Sequence, residues 1–225
     1  MQLTLRKQHN MSTTLTVNQL FVFSEKEQRY FYTEFSDDVT IVYGRNTSGK
    51  STVLQSIIYA IGINDGNAYL EEILQYEVFF RLDCTLKRDG EAERLLFIRE
   101  GETLFIKFSN DLMQRFNGIS ANNSFEHIRL KNYISDLFRF TLHLESKEEY
   151  KQAPLEAMFL PYYISQAVGW VYLRKSFGSL DFYRNFKEDY LDYYLGLEPF
   201  IERREKLELQ KKLKSKNDKI DLIAN

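Results

Sequence analysis

The sequence predicts an α/β fold: a mixed sheet, an antiparallel meander, and a terminal helix. Three observations carry that prediction. A short apolar run, Val39-Thr40-Ile41-Val42-Tyr43, feeds a glycine loop that is followed by apolar residues at helical spacing. Further on, strand-like runs are separated by Arg88-Asp89-Gly90-Glu91 and by Glu100-Gly101, which are hairpin signals. Last, the stretch from Phe200 to Asn225 has no Gly or Pro and is rich in Lys, Arg, Glu and Leu.

Taken in order, residues 1–12 read as a flexible tail, with Met11 as an alternative start. Thr13 to Phe23 is β-like, with Leu15, Val17, Phe21 and Phe23 apolar, and Arg29 to Phe35 is a second strand. Val39 to Tyr43 is a third, expected as a buried strand because it is nearly all apolar. Lys50 to Ile61 is helical, with Val53, Leu54, Ile57, Ile58 and Ile61 on one stripe. Gly62 to Asn67 is dense in turn residues, and Ala68 to Gln75 forms a short helix. Val78 to Lys87, Arg94 to Arg99 and Thr103 to Phe108 make the meander. Asn117 to Ser124 is a loop, Phe125 to Phe140 a helix, and Pro154 to Leu160 a short helix ending before Pro161. Tyr162 to Ser165 is strand-like, and Leu180 to Leu195 is a helix with Gly196 placed as its C-cap. Pro199 suits the first position of a new helix. That segment carries eight basic and five acidic residues, and reads either as a solvated helix or as the start of a coiled coil.

The chemistry concentrates in Gly44-Arg45-Asn46-Thr47-Ser48-Gly49-Lys50-Ser51-Thr52, which fits G-x-x-x-x-G-K-[ST] at every fixed position. Backbone N–H groups of such a loop and of the first helical turn have no intrahelical partners and can bond phosphate oxygens. Gly44 and Gly49 permit conformations that a side chain would obstruct. Lys50 would reach the β- and γ-phosphates, the Ser51 hydroxyl would ligate Mg²⁺, and Thr52 would add a phosphate contact. The motif thus predicts binding of a nucleoside triphosphate with magnesium.

Composition sets the bounds. Hydrophobic residues make up 44% and charged residues 28%, as in a soluble globular protein. No run approaches the ~18 apolar residues of a membrane span, and no apolar core of a signal peptide follows Arg6 and Lys7. The one cysteine, Cys84, rules out an intrachain disulfide and reads as a small strand residue, so a cytoplasmic setting is expected. A net charge of −2 argues against whole-surface attraction to nucleic acid, though not against a local basic patch.

Several motifs that would complete a hydrolytic site are missing from the sequence. An apolar strand ending in Asp, the Walker B element, is matched only by Val78-Phe79-Phe80-Arg81-Leu82-Asp83, which Arg81 interrupts; Asp83 is expected on an exposed strand face. There is no Leu-Ser-Gly-Gly signature. Ser176-Phe177-Gly178-Ser179 reads as a helix start capped by Ser179.

The order of two β runs, an apolar strand, Gly-x-Asn-x-Ser-Gly-Lys-Ser-Thr, a meander, an apolar-x-Gln loop and a Lys/Glu-rich helix resembles the N-terminal head segment of the SMC-like ATPases, including the double-strand-break-repair type, within the wider ABC group. Asn46 and Ser48 suit that family's form of the loop. The stretch Pro161-Tyr162-Tyr163-Ile164-Ser165-Gln166, with Gly169 and Trp170, is similar to SMC-like subunits of Lamassu-type anti-phage and anti-plasmid systems. The resemblance implies a P-loop NTPase (ABC/SMC head-like) N-terminal lobe over 13–198 and the start of a coiled-coil helix over 199–225. It implies ATP and Mg²⁺ as ligands. Gly44, Asn46, Ser48, Gly49, Lys50, Ser51 and Thr52 would hold the nucleotide, and Ser51 and a Q-loop Gln166 would hold the metal. The hydrolytic Glu and the signature would come from a C-terminal head half or a second head, so this chain alone binds ATP without hydrolysing it. DNA, with Lys211, Lys212, Lys214 and Lys216 as candidate phosphate contacts, and nuclease and accessory subunits would be partners; a membrane would not. A non-hydrolytic ATP-binding adaptor and a P-loop kinase remain as alternatives.

Overall fold

Alternation along the meander strands builds the sheet. The computed structural model describes residues 2–6, 12–64, 68–121, 124–146, 149–165 and 172–197, together with 205, 209 and 213. The chain divides into two compact units, Met1–Thr141 with Pro154–Leu180, and Leu142–Ala153 with Asp181–Asn225. Residues 13–198, expected as one lobe, are thus shared between them.

In the first unit, β1 (Gln2–Arg6), β2 (Ser12–Ser24), β3 (Arg29–Glu34), β4 (Val78–Arg88), β5 (Glu91–Glu100), β6 (Thr103–Phe108) and β7 (Met113–Asn117) form one sheet. Its order is β1-β2-β4-β5-β6-β7, with β3 also paired to β2. Every pairing is antiparallel. Phe80, Leu82, Cys84 and Leu86 of β4, Leu95 and Phe97 of β5, and Leu104 and Ile106 of β6 are buried, every second residue on each strand. A register shift between Val17 and Gln19 changes the parity of β2, so that Leu15 and Val17 are buried before it and Leu20 after it. The residue inside the shift, Asn18, is held in place: its side-chain oxygen accepts from Thr85 Oγ1 at 2.9 Å and its carbonyl from the Phe35 N–H at 2.8 Å.

Helix α1 (Lys50–Ile61) packs on β4 and β5, and α3 (Phe125–Phe138) on β7. The short α2 (Ala68–Leu74) lies against α1. Ser124 caps α3 by accepting from the His127 N–H at 3.1 Å. Buried Ile57, Ile58 and Ile61 of α1 and Leu130, Ile134 and Phe138 of α3 complete the core. Helix α4 (Leu155–Phe159) runs into a 3₁₀ turn, Leu160–Tyr162. In the second unit, the hairpin β8 (His143–Ser146) and β9 (Glu149–Gln152) packs with α5 (Phe186–Leu195), which Gly196 ends in a left-handed cap. Among the described residues no helix is long and apolar enough to cross a membrane.

Four expectations are corrected. Gln2–Arg6, within the expected tail, pairs with β2 from Gln2↔Thr16 to Arg6↔Ser12, because β2 offers a free edge there. Val39–Tyr43 forms no strand, and Ile41 is 80% exposed and Tyr43 90%. A strand exists through its ladder partners, and among the described residues none lies beside this run; the sheet is therefore antiparallel rather than mixed. Tyr162–Ser165 is likewise not a strand but the end of the 3₁₀ turn and irregular chain. The helix expected over Leu180–Leu195 is broken: Gly178–Phe182 is 3₁₀, and Asn185 turns left-handed (φ 49°) before α5. Of the expected coiled-coil segment, Glu205, Leu209 and Leu213 are described and helical.

Candidate functional site

The predicted phosphate loop leads directly into α1, so chain connectivity brings Gly44, Asn46, Ser48, Gly49, Lys50, Ser51 and Thr52 together. The loop is tight. A Cβ on Gly44 would stand 2.6 Å from Ser48 Oγ, so a side chain there would force the Ser48 hydroxyl to move. Thr47 (φ 64°) and Gly49 (φ 83°) both adopt left-handed backbone, which Gly49 accepts at no steric cost and Thr47 holds under strain. The Ser48 N–H donates to the Arg45 carbonyl at 3.3 Å, and the Thr47 hydroxyl to the Asn46 carbonyl at 2.6 Å.

Lys50 folds back over this loop. Its ammonium donates to the carbonyls of Gly44 at 3.0 Å and Arg45 at 2.7 Å, and to Ser48 Oγ at 3.4 Å. Gly49 is the N-cap of α1 and brings no side-chain acceptor, and no acidic residue stands in the first turn. The first-turn N–H groups, the positive end of the helix dipole and the Lys50 ammonium therefore converge where a side-chain cap usually sits. That donor set fits a phosphate group, whose charged oxygens are stronger acceptors than the neutral carbonyls now holding Lys50. Ser51 and Thr52 are half-buried in the same turn.

Other predicted residues fall elsewhere. Gln166 and Trp170, and Lys211, Lys212, Lys214 and Lys216, lie outside the described residues. Asp83, expected on an exposed face, is 4% exposed. Its carboxylate is held by Arg81 Nε at 2.9 Å and by an Arg94 guanidinium nitrogen at 2.7 Å, so it is an ion-paired sheet residue. Among the described residues no group of three His, Cys, Asp or Glu could hold a metal. Ser179 lies within the 3₁₀ segment Gly178–Phe182 rather than capping an α-helix. The Cys84 thiol is buried in β4 and burial pushes its ionisation well above the ordinary range, in keeping with a packing role.

One residue outside the loop motif is tied to the same helix from the sheet. Arg99 of β5 is 1% exposed, and burial pushes its guanidinium down to about 10. It bonds the Tyr59 carbonyl in the last turn of α1 at 2.7 Å. Its signal in sequence is positional: it follows Leu95 and Phe97 on the inward face, where a charge is out of pattern.

A lysine-bearing glycine loop opening a helix, beside an antiparallel sheet, is the context in which relatives become informative. No family model matches the chain. Over 189 residues it is 30% identical to the Lamassu protein LmuB of Bacillus cereus (strain VD014), a match that covers 80% of this chain and 30% of that relative. The chain is thus related in sequence to a Lamassu protein, and it spans 30% of the length of the curated relative it matches.

Proposed function

We propose that this chain is the ATP-binding N-terminal head lobe of an SMC-like ATPase acting in Lamassu-type defence against phage or plasmids. The observation that carries the reading is the Lys50 ammonium gathered over the Gly44–Ser48 loop at the uncapped start of α1. The relation to a Lamassu protein supports the defence setting. In this reading Gly44, Asn46, Ser48, Gly49, Lys50, Ser51 and Thr52 hold the triphosphate, with Ser51 on Mg²⁺ and Gln166 as a second metal contact. Bound ATP supplies the charged γ-phosphate on which two heads engage. The loop N–H groups and Lys50 bind and orient that group. The exposed apolar run Val39–Tyr43 suits a strand whose neighbour belongs to a completing head half, which would also bring the Walker B carboxylate and the signature. Engagement and release of the heads would work a DNA clamp or sensor, with nuclease and accessory subunits as partners.

Thermal unfolding with and without Mg²⁺-ATP tests the reading. The natural sequence is expected to gain stability as ATP concentration rises, by about 2.7 kcal/mol at a hundredfold excess over Kd. Lys50→Ala is expected to lose that gain while its nucleotide-free melting point stays put. An equal ATP shift in both proteins, or none in the natural one, would overturn the assignment.

A further inference from the structure

We infer that Arg99 is a positioning residue for the phosphate loop: from the sheet it clamps the far end of α1, and so fixes how the near end presents Lys50 and Ser51. This deepens the nucleotide-binding reading and rests on it.

Arg99 joins three separate segments. One guanidinium nitrogen donates to the Tyr59 carbonyl at 2.7 Å, another to Asn64 Oδ1 at 2.6 Å, and Nε to the Gly101 carbonyl at 3.2 Å. The guanidinium carbon lies 3.5 Å from the centre of the Tyr59 ring. Tyr59 closes the circuit by donating its hydroxyl to the Gly101 carbonyl at 3.3 Å, and Asn64 passes it on by donating to the Ile119 carbonyl at 2.6 Å. The bonds reach the last turn of α1, the chain just after it, and the β5–β6 turn.

All of the acceptors named are uncharged. A buried cation held by neutral oxygens is costly, and an apolar side chain of similar length would bury at lower cost. What the guanidinium provides is geometry: a planar fork that fixes three acceptors at once. It also puts positive charge at the negative end of α1, whose own last turn has no basic residue. The helix is 12 residues, about 18 Å, and moves as a rod. Lys50 and Ser51 are at its other end. A small rotation allowed at Tyr59 therefore displaces the phosphate-binding groups, which loses preorganisation without breaking the core.

The test uses the full chain with Arg99→Lys, Arg99→Met and Asn64→Ala, the last a milder change that removes one acceptor. Mg²⁺-ATP affinity, thermal unfolding, and hydrogen exchange without nucleotide are measured on each, with Lys50→Ala as reference. Arg99→Lys keeps the charge but not the fork, and is expected to bind ATP roughly tenfold more weakly. Exchange is expected to quicken through the first turns of α1 while β4 and β6 stay protected. Asn64→Ala is expected to do the same to a smaller extent, and it decides the matter if both Arg99 variants fail to fold. Unchanged affinity, or faster exchange confined to the last turn of α1, would reduce Arg99 to a stabilising residue and overturn the inference. Absence of ATP binding in the natural sequence would instead remove the nucleotide reading, and this inference with it.

Discussion

The two ends of α1 are opposites. At its start, a glycine N-cap offers no side-chain acceptor, Thr47 and Gly49 are left-handed, and a lysine is held by carbonyls of its own loop. At its finish, Gly62 turns left-handed (φ 114°), its N–H donates to the Tyr59 carbonyl at 2.9 Å and that of Ile63 to Ile58 at 3.3 Å, and Arg99 adds a further donor. This end is a Schellman cap reinforced by a cation. In the nucleotide-binding reading, a helix start without a side-chain cap is a place for phosphate when the other end is locked.

The largest way to sharpen that contrast is a pair of glycine substitutions. A Cβ on Gly62 would stand 2.7 Å from Leu130 Cδ2, on top of its unfavourable φ, whereas a Cβ on Gly49 meets nothing within 4 Å. Gly62→Ala is expected to cost about 2–4 kcal/mol in urea unfolding. Gly49→Ala is expected to cost about 1 kcal/mol, and to weaken ATP binding more than it weakens the fold. Equal losses in both would break the comparison.

Next in size is a pH effect. Asp89, at the β4–β5 turn, is paired with Arg139, which caps α3 with a left-handed residue; the hydrogen bonds from Arg139 hold the Asp89 carboxyl below the usual carboxylate range. A carboxyl whose folded ionisation is depressed contributes stability above its ordinary value, and that contribution fades as pH falls through the folded one. Asp89→Asn is expected to flatten the acid limb of the urea midpoint below about pH 4, leaving the neutral-pH ATP shift intact. An unchanged acid limb would remove the pair from the account.

Smallest is Gln55, buried in α1 between the two ends, with Oε1 accepting no hydrogen bond among the described residues. Gln55→Met removes that orphan at similar shape. It is expected to be neutral or to stabilise by up to about 1 kcal/mol, and a loss above that would show a partner for the amide.

The loop and α1 were legible because each depends on local chemistry: glycines where contact or φ demands them, and apolar spacing between. The meander was legible from Asp89-Gly90 and Glu100-Gly101 between alternating runs. Val39–Tyr43 misled because apolar content reports the capacity to be buried, while a strand also needs a neighbour. β7 was hidden because only Phe116 of Met113–Asn117 is buried, as suits an edge strand. The β8–β9 hairpin was hidden by strands of four residues. The burial of Asp83 and Arg99 could not be read from β4 or β5 alone, since it depends on cross-strand Arg94 in one case and on the end of α1 in the other.

The most direct measurement is hydrogen exchange of the full chain with and without Mg²⁺-ATP. Slowed exchange at the amides of 44–52, with the amides of β5 and β6 unchanged, is the predicted result. Protection elsewhere, with the loop amides unaffected, would contradict the assignment of this helix end to phosphate.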